Sequence, residues 1–241
     1  MNDRARIDVV SNYIKVLENI DYAASRSGRD VKDIKVVGVT KRIEFERIKL
    51  VLDAGLSIIG EVMGTEFKHK FPLIKSYRPN IILHVIGNMQ RNKVKLALDT
   101  CDLIQSVRSE IILAEINKRA ARQARVYPIF LQVDFSAVSN RKGLTLNEVI
   151  HFLKLIETKY TNVVVKGFMT IAPLEYENNE TILRKFFSKT YSTVFDTLAT
   201  FLDSPKDEIE LSMGMSSDYT IAIEEGATMV RIGTAIFGPR N

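Results

Sequence analysis

Short apolar runs and longer amphipathic segments alternate along the whole of this chain. Short apolar runs are typical of buried strands, whereas apolar residues at spacings of three and four are typical of helices. Strands that alternate with helices pair in parallel through right-handed crossovers, and eight such units in 241 residues predict a closed (β/α)8 barrel, with a doubly wound open sheet as the alternative. The predicted strands are residues 35–40, 56–59, 81–86, 103–105, 127–133, 163–168, 208–211 and 228–231. The predicted helices are residues 5–27, 43–54, 61–70, 90–98, 108–122, 145–159, 178–202 and 217–225.

No break in composition divides the sequence, so we predict one domain over residues 1–241. A hydrophobic content of 46% is enough to fill the core of a domain of this size. The first predicted helix precedes the first strand and is therefore an extra N-terminal element. Its apolar face is predicted from Ile7, Val10, Tyr13, Ile14, Leu17 and Ile20.

Polar residues directly follow the last two predicted strands. In a (β/α)8 barrel the carboxyl ends of the strands meet at one face, where ligand-binding groups gather. Ser212 and Ser216 follow the seventh strand, and Gly233 and Thr234 follow the eighth. Glycine lets a ligand approach the backbone, hydroxyls supply hydrogen bonds, and Arg231 adds a fixed positive charge. Together these residue types predict a phosphate pocket.

Lys41 follows the first predicted strand and is expected to project its amine into the same mouth. Position alone favours a lysine that extends to solvent. A desolvated lysine amine, however, becomes nucleophilic toward an aldehyde, and the phosphate pocket on the other side of the barrel favours this second interpretation. A phosphorylated aldehyde held between the two sides describes pyridoxal phosphate (PLP).

These segments resemble the pyridoxal-phosphate homeostasis proteins, small single-domain relatives of the alanine racemase barrel. The matching segments run in family order from residue 38 to residue 238. They are Gly38-Val-Thr-Lys41, Asp53-Ala-Gly55, Gly60-Glu61, His84-Val-Ile-Gly-Asn-Met-Gln-Arg-Asn-Lys93, Lys142-Gly143, Gly167-Phe-Met-Thr-Ile171, Leu211-Ser-Met-Gly-Met-Ser-Ser-Asp218 and Val230-Arg-Ile-Gly-Thr-Ala-Ile-Phe-Gly238.

The resemblance implies a barrel of the alanine racemase N-terminal type (the type III fold of PLP proteins) with pyridoxal 5'-phosphate as cofactor. It implies a Schiff base on Lys41 and a phosphate held by Ser212, Gly233 and Thr234, with Ser216 as a further ligand. It also implies that Arg231 faces the pyridine nitrogen. An arginine keeps its proton, so that nitrogen would stay unprotonated and the cofactor would be a poor electron sink. This chemistry argues against general transamination.

His84, Met169, Met213 and Met215 are also expected near the cofactor. Methionine at a strand end is at least as often simple packing. His84 has no second histidine or cysteine at a metal-ligand spacing. A hydrogen-bonded histidine inside the barrel is therefore favoured over a metal ligand, and no metal site is expected.

Two positions depart from the family pattern. Val62 stands where the family usually has an asparagine after Gly60-Glu61, so the contact from that asparagine is in doubt. Lys41 is followed by Arg42, which we interpret as an exposed loop cation rather than as a second phosphate contact.

Charge and composition limit the partners. The net charge is +5, and a basic cluster lies at the end of a predicted helix, where cations are favoured and usually solvated. No aromatic residues interleave with these cations, so we expect no nucleic-acid partner. We also expect no secretory leader and no membrane span, and the single cysteine, Cys101, fits the cytoplasm. The expected partners are PLP and apo forms of PLP-dependent enzymes, with the protein a monomer or a weak homodimer.

Three functions are compatible with this pattern. The first is a protein that buffers PLP as a Schiff base and delivers it. The second is an amino-acid racemase, which needs a second acid-base group such as a tyrosine. We expect no extra domain to supply this group, because only three residues follow Gly238. A tyrosine from within the chain, such as Tyr219, is the alternative source, and nothing in the sequence supports it. The third is a barrel that binds another phosphorylated metabolite. We favour the first.

Overall fold

The computed structural model describes residues 3–136, 143–202 and 204–239, and in these residues the chain forms a closed barrel of eight parallel strands. The strands follow one another around the barrel in sequence order, and β1 closes on β8 with Val37 opposite Arg231. The predicted (β/α)8 barrel is confirmed. Lys142, part of one family-like segment, lies outside the described residues. The strands are β1 Lys35–Val39, β2 Ile58–Glu61, β3 Ile82–Val85, β4 Leu103–Val107, β5 Tyr127–Gln132, β6 Val163–Met169, β7 Glu210–Ser212 and β8 Met229–Ile232.

Helices connect the strands on the outside of the barrel. The seventh continues from Ser192 into a π-helical turn and a 3-10 turn that ends at Phe201, so the predicted helix 178–202 is three consecutive pieces. The α-helices are α1 Asp3–Arg26, α2 Phe45–Asp53, α3 Thr65–Tyr77, α4 Val94–Thr100, α5 Glu110–Arg122, α6 Leu146–Thr158, α7 Glu180–Ser192, α8 Tyr219–Glu224 and α9 Thr234–Phe237.

Two apolar layers hold the barrel together. Side chains alternate between the two faces of a strand, so each strand contributes to both layers. The outer layer lies between strands and helices and contains large side chains such as Phe168, Phe187 and Phe237. The inner layer fills the interior of the barrel and consists of Val37, Ile58, Leu103, Phe130, Met169 and Met229. Because the interior is filled by packed side chains, any ligand must bind at an end of the barrel.

The N-terminal helix α1 covers α8 and α9. Asn12 donates to the carbonyl of Ile236, and Asn19 donates to the hydroxyl of Tyr219. The predicted apolar face is partly wrong, since Ile14 and Leu17 are exposed. Packing against α8 and α9 buries a different side of α1 from the one predicted, and this side also carries small residues. The buried side consists of Val9, Tyr13, Val16, Ile20, Ala23 and Ala24.

Element boundaries differ from prediction where tertiary pairing outweighs local pattern. Strand β2 extends to Glu61, which pairs with Val85 of β3, so the following helix begins at Thr65 rather than at residue 61. That helix also continues past Pro72, where the sequence suggests a stop. The four-residue helix α9 is too short to give a periodic signal and was not predicted. Among the described helices, none has the length and apolar character needed to cross a bilayer.

Candidate functional site

A cavity of about 600 Å³ lies at the carboxyl ends of the strands. It is bordered by residues at or just after β1, β2, β3, β6, β7 and β8, which is the face where (β/α)8 barrels place their ligands. Its volume is within the range of small-molecule sites. The lining residues are Val39, Lys41, Val62, Ile86, Ile171, Glu177, Met215, Ser216, Ser217, Arg231, Gly233, Thr234 and Ala235.

Lys41 enters this cavity from a tight turn at the end of β1. The amide of Ile43 donates to the carbonyl of Thr40, and Arg42 has a positive φ of 59°, the conformation that a type II turn needs at its third position. Non-glycine residues rarely adopt this conformation, and such strain concentrates at functional sites. Arg42 itself is exposed, as predicted. Lys41 is half-buried, and its ammonium makes no hydrogen bond or ion pair with the described residues.

Two buried charges fix the residue before Lys41. The Thr40 hydroxyl donates to the Glu61 carboxylate at 2.5 Å, and the Lys70 ammonium donates both to the Thr40 carbonyl at 2.8 Å and to Glu61 at 3.1 Å. The side chains of Lys70 and Glu61 are only 10% and 5% exposed. The start of the Lys41 turn is therefore held through both its side chain and its backbone.

The loops after β7 and β8 meet at the Ser216 hydroxyl. Its oxygen accepts hydrogen bonds from the amides of Gly233 and Ala235, each at 3.2 Å. The amides of Ser216, Ser217 and Thr234 make no hydrogen bond within the described part of the chain. These donors open onto the cavity beside the N-terminus of α9, in the loops that often bind phosphate in (β/α)8 barrels.

Arg231 forms the floor of the cavity. Its guanidinium is almost fully buried and donates to the Ser212 hydroxyl and to the Thr170 carbonyl, both at 2.8 Å. Burial lowers the pKa of Arg231 to about 10, and the charge of Asp218 acts in the opposite direction. The guanidinium therefore stays charged at neutral pH. Burial in turn raises the pKa of Asp218, whose carboxylate accepts from the amide of Met215 and so orders the β7 loop.

A chain of hydrogen bonds continues from Arg231 into the barrel. The Ser212 hydroxyl donates to the Gln105 side-chain oxygen at 2.7 Å, and the Gln105 amide nitrogen lies 2.8 Å from Nδ1 of His84. Burial lowers the pKa of His84 to about 4, and the positive charge of Lys35 acts in the same direction. The imidazole is thus neutral at neutral pH.

The structure brings six of the ten predicted site residues to the cavity: Lys41, Met215, Ser216, Arg231, Gly233 and Thr234. The other four are not among its lining residues. Ser212 and His84 lie in the hydrogen-bonded chain below Arg231, and both hydrogen-bonding directions of the Ser212 hydroxyl are already used.

Of the three predicted methionines, Met215 lines the cavity, and Met169 and Met213 do not. Met169 belongs to the apolar inner layer of the barrel, and Met213 is buried in the outer core. Adjacent residues of a strand point to opposite faces, so Met213 and Ser212 cannot both point inward.

Sequence reasoning missed three polar residues at or near the site: Gln105, Lys70 and the cavity-lining Glu177. Gln105 gives a weak signal, since it is a polar residue inside the apolar run of β4 and shares the face of Leu103. Lys70 gives none, because it is one of several charged residues on an amphipathic helix.

Comparison with known proteins agrees with this architecture. The family model described as "Alanine racemase, N-terminal domain" matches residues 14–241, which defines the class of the fold. The pyridoxal phosphate homeostasis protein of Aquifex aeolicus is 34% identical to this chain and covers 94% of it, with 96% of its own length matched. The chain belongs to the family of pyridoxal phosphate homeostasis proteins. Curated relatives in this family are named as homeostasis proteins rather than as enzymes.

Solved structures give the same result. A protein of unknown function from Bifidobacterium adolescentis superimposes with a TM-score of 0.88 at 29% identity, covering 98% of this chain and 97% of its own. PipY of Synechococcus elongatus, solved with PLP bound, superimposes with a TM-score of 0.72 at 26% identity, covering 91% of this chain and 100% of its own.

Proposed function

We propose that this protein binds pyridoxal 5'-phosphate at the barrel mouth, attaches its aldehyde to Lys41, and holds it for release to other proteins. The observation that carries the proposal is that Lys41 and the donor-rich loops after β7 and β8 line one cavity. A relative of known structure, PipY, was solved with PLP bound. The free amine and the phosphate-type loops thus share a site of suitable size.

The phosphate end of the site suits an anion with several oxygens. The unpaired amides of Ser216, Ser217 and Thr234 and the hydroxyl of Thr234 are donors that a phosphate would satisfy. The Ser216 oxygen already accepts from Gly233 and Ala235, so its own proton remains available to donate. The chemistry of this donor set therefore suits a phosphate ester.

The ring end of the site is formed by Lys41 and Arg231. When bound, PLP supplies an aldehyde that condenses reversibly with a primary amine to a Schiff base. Lys41 would hold the cofactor covalently, and the remaining guanidinium N–H groups of Arg231 would donate to the pyridine nitrogen. Val62, Ile86 and Ile171 contribute apolar side chains to the lining of this site.

Holding fits the cavity better than racemisation. Racemisation needs a second acid-base group facing Lys41. Tyr219 does not serve, because it is buried, accepts a hydrogen bond from Asn19 and is not among the lining residues. Among the described lining residues, Glu177 is the one ionisable side chain besides Lys41 and Arg231. The names of the curated relatives favour a homeostasis role.

We further propose that the recipients of the cofactor are apo forms of PLP-dependent enzymes. We place this exchange in the cytoplasm, where the buried thiol of Cys101 stays reduced, and expect a monomer or a weak homodimer.

The test is a visible absorbance spectrum with added PLP, followed by borohydride reduction and peptide mass mapping. We expect a reducible band with the label on Lys41, absent in Lys41→Ala and retained in Lys154→Ala, which removes an exposed lysine of α6. A label spread over surface lysines would contradict the proposal and leave a barrel for another phosphorylated metabolite.

A second assay separates holding from turnover. The loaded protein is incubated with amino acids in deuterium oxide, and with an apo-aminotransferase in a parallel reaction. We expect recovery of aminotransferase activity without exchange of the amino-acid α-proton. Rapid α-proton exchange that is lost in Glu177→Gln would instead support a racemase.

A further inference from the structure

We propose that Gln105 is a positioning residue of the PLP site, holding Arg231 toward the pyridine nitrogen through Ser212 and fixing His84 as the neutral tautomer with its proton on Nε2. The role at the cofactor depends on the proposed function. The tautomer of His84 depends only on the structure of the protein, so the two can be tested separately.

Gln105 lies at the centre of a fully buried polar chain. It is 0% exposed, and its amide contacts His84 on β3 at 2.8 Å, Ser212 on β7 at 2.7 Å and the sulfur of Met229 on β8 at 3.1 Å. One side chain of β4 therefore connects three other strands below the cavity floor. A buried amide with all these contacts is rigid. If any contact is lost, a polar group is left without a hydrogen-bond partner, because solvent does not reach this buried side chain to take the partner's place.

The direction of each hydrogen bond follows from Arg231. A guanidinium can only donate, so the Ser212 oxygen accepts from it and the Ser212 proton must go to another acceptor. The acceptor at 2.7 Å is the Gln105 oxygen, which leaves the Gln105 nitrogen facing His84. A side-chain amide nitrogen has no lone pair to offer and donates to Nδ1 of His84. The imidazole proton is consequently on Nε2.

This chain explains how the protein keeps a charge and a neutral imidazole close together. The Arg231 guanidinium donates to two neutral groups, the Ser212 hydroxyl and the Thr170 carbonyl, and His84 lies at the far end of the chain, where burial keeps it unprotonated. With Ser212 fixed between Gln105 and Arg231, the guanidinium has one orientation. A cofactor nitrogen above it then meets donors that are already in place.

Two substitutions at Gln105 separate positioning from packing. Gln105→Glu keeps the shape and still offers Ser212 an acceptor, but a carboxylate cannot donate to Nδ1 of His84. Gln105→Met keeps the approximate volume and offers Ser212 a poor acceptor. The exposed Gln90 supplies the control Gln90→Glu.

The first measurement is the His84 tautomer in cofactor-free protein, from imidazole ¹⁵N NMR. We expect the Nε2–H form in the wild type and in Gln90→Glu, and protonation of Nδ1 in Gln105→Glu. An Nδ1–H tautomer in the wild type would overturn the proposal whether or not PLP binds.

The second measurement is the dissociation constant for PLP. We expect Gln105→Met to bind about five- to tenfold more weakly, as the loss of one ordered hydrogen bond predicts. Gln105→Glu should remain within about twofold of wild type, because Ser212 keeps its acceptor. Equal affinity of Gln105→Met and wild type would overturn the positioning role.

Folding of the variants is checked by thermal melting. If Gln105→Met does not fold, Ser212→Ala interrupts the same chain at its other link and is expected to show the same loss of affinity. A wild type that binds no PLP but has the predicted tautomer would contradict the proposed function and leave the assigned hydrogen-bond directions intact.

Discussion

The Lys70 ammonium lies 3.1 Å from the Glu61 carboxylate, and both side chains are almost completely buried beside the turn that carries Lys41. Lys70 also donates to the carbonyl of Thr40, so the pair connects α3, β2 and the end of β1. A buried ion pair stabilises little relative to apolar residues, but breaking it leaves a desolvated charge. The pair therefore fixes the start of the turn that carries Lys41 more than it stabilises the fold.

Removing one member of this pair should be costly. We expect Lys70→Met to lower the free energy of unfolding by about 3 kcal/mol, because the buried Glu61 carboxylate keeps its charge but loses the cation that compensates it. The double variant Glu61→Gln with Lys70→Met should recover more than half of this loss. Urea unfolding of the four proteins in the cycle measures the coupling. Additive effects would show that the two charges do not interact as the structure indicates.

Ser216 should contribute to both stability and cofactor retention. In Ser216→Ala the amides of Gly233 and Ala235 lose their acceptor, and we expect about 1 kcal/mol less stability. PLP affinity should fall about tenfold, since the hydroxyl proton is lost from the phosphate end. Ser76→Ala, which changes an exposed serine of α3, is the matched control. An affinity unchanged from the control would place the phosphate elsewhere.

The substitution Gly214→Ala tests how tightly the loop after β7 is packed. Gly214 has a φ of +92°, and an added Cβ would lie 2.6 Å from the Cβ of Ala222. Gly28 has a similar φ of +69° with no atom within 4 Å of an added Cβ. Alanine at Gly28 should cost about 1 kcal/mol from strain, whereas alanine at Gly214 should cost about 1–3 kcal/mol more from overpacking. Thermal and urea unfolding compare them, and equal costs would mean that the loop moves to make room.

His84 should make the fold sensitive to mild acid. Its pKa is about 4 in the folded protein and 6.5 without burial, so the unfolded chain binds more protons between these values. Stability should fall as pH drops through this window, by about 2 kcal/mol at pH 5. His84→Asn keeps an acceptor for Gln105 and should remove this part of the pH dependence. Identical slopes of unfolding free energy against pH in both proteins would show that His84 is not protonated only on unfolding.

The barrel could be predicted from sequence because each strand and helix leaves a hydrophobic pattern within a short stretch of the chain. The strand ends carrying Lys41 and Arg231 followed directly, since parallel strands bring their carboxyl ends to one face. The same reasoning misplaced the apolar face of α1, because the buried side of a helix depends on what packs against it. It also did not find Gln105 or Lys70. The contacts of Gln105 join residues 21 to 124 positions apart in sequence, and those of Lys70 join residues 9 to 30 positions apart.

The fold class, the family, and the lysine and arginine at the barrel mouth could be predicted from the order of residues alone, because residue type and strand position together restrict the possible chemistry. The positions of two neighbouring residues could not: Ser212 supports Arg231 from below, and Met213 packs in the outer core. Which of two adjacent residues points inward depends on the register of β7 against its neighbours, and that register is fixed by pairing across the barrel and not by the local sequence.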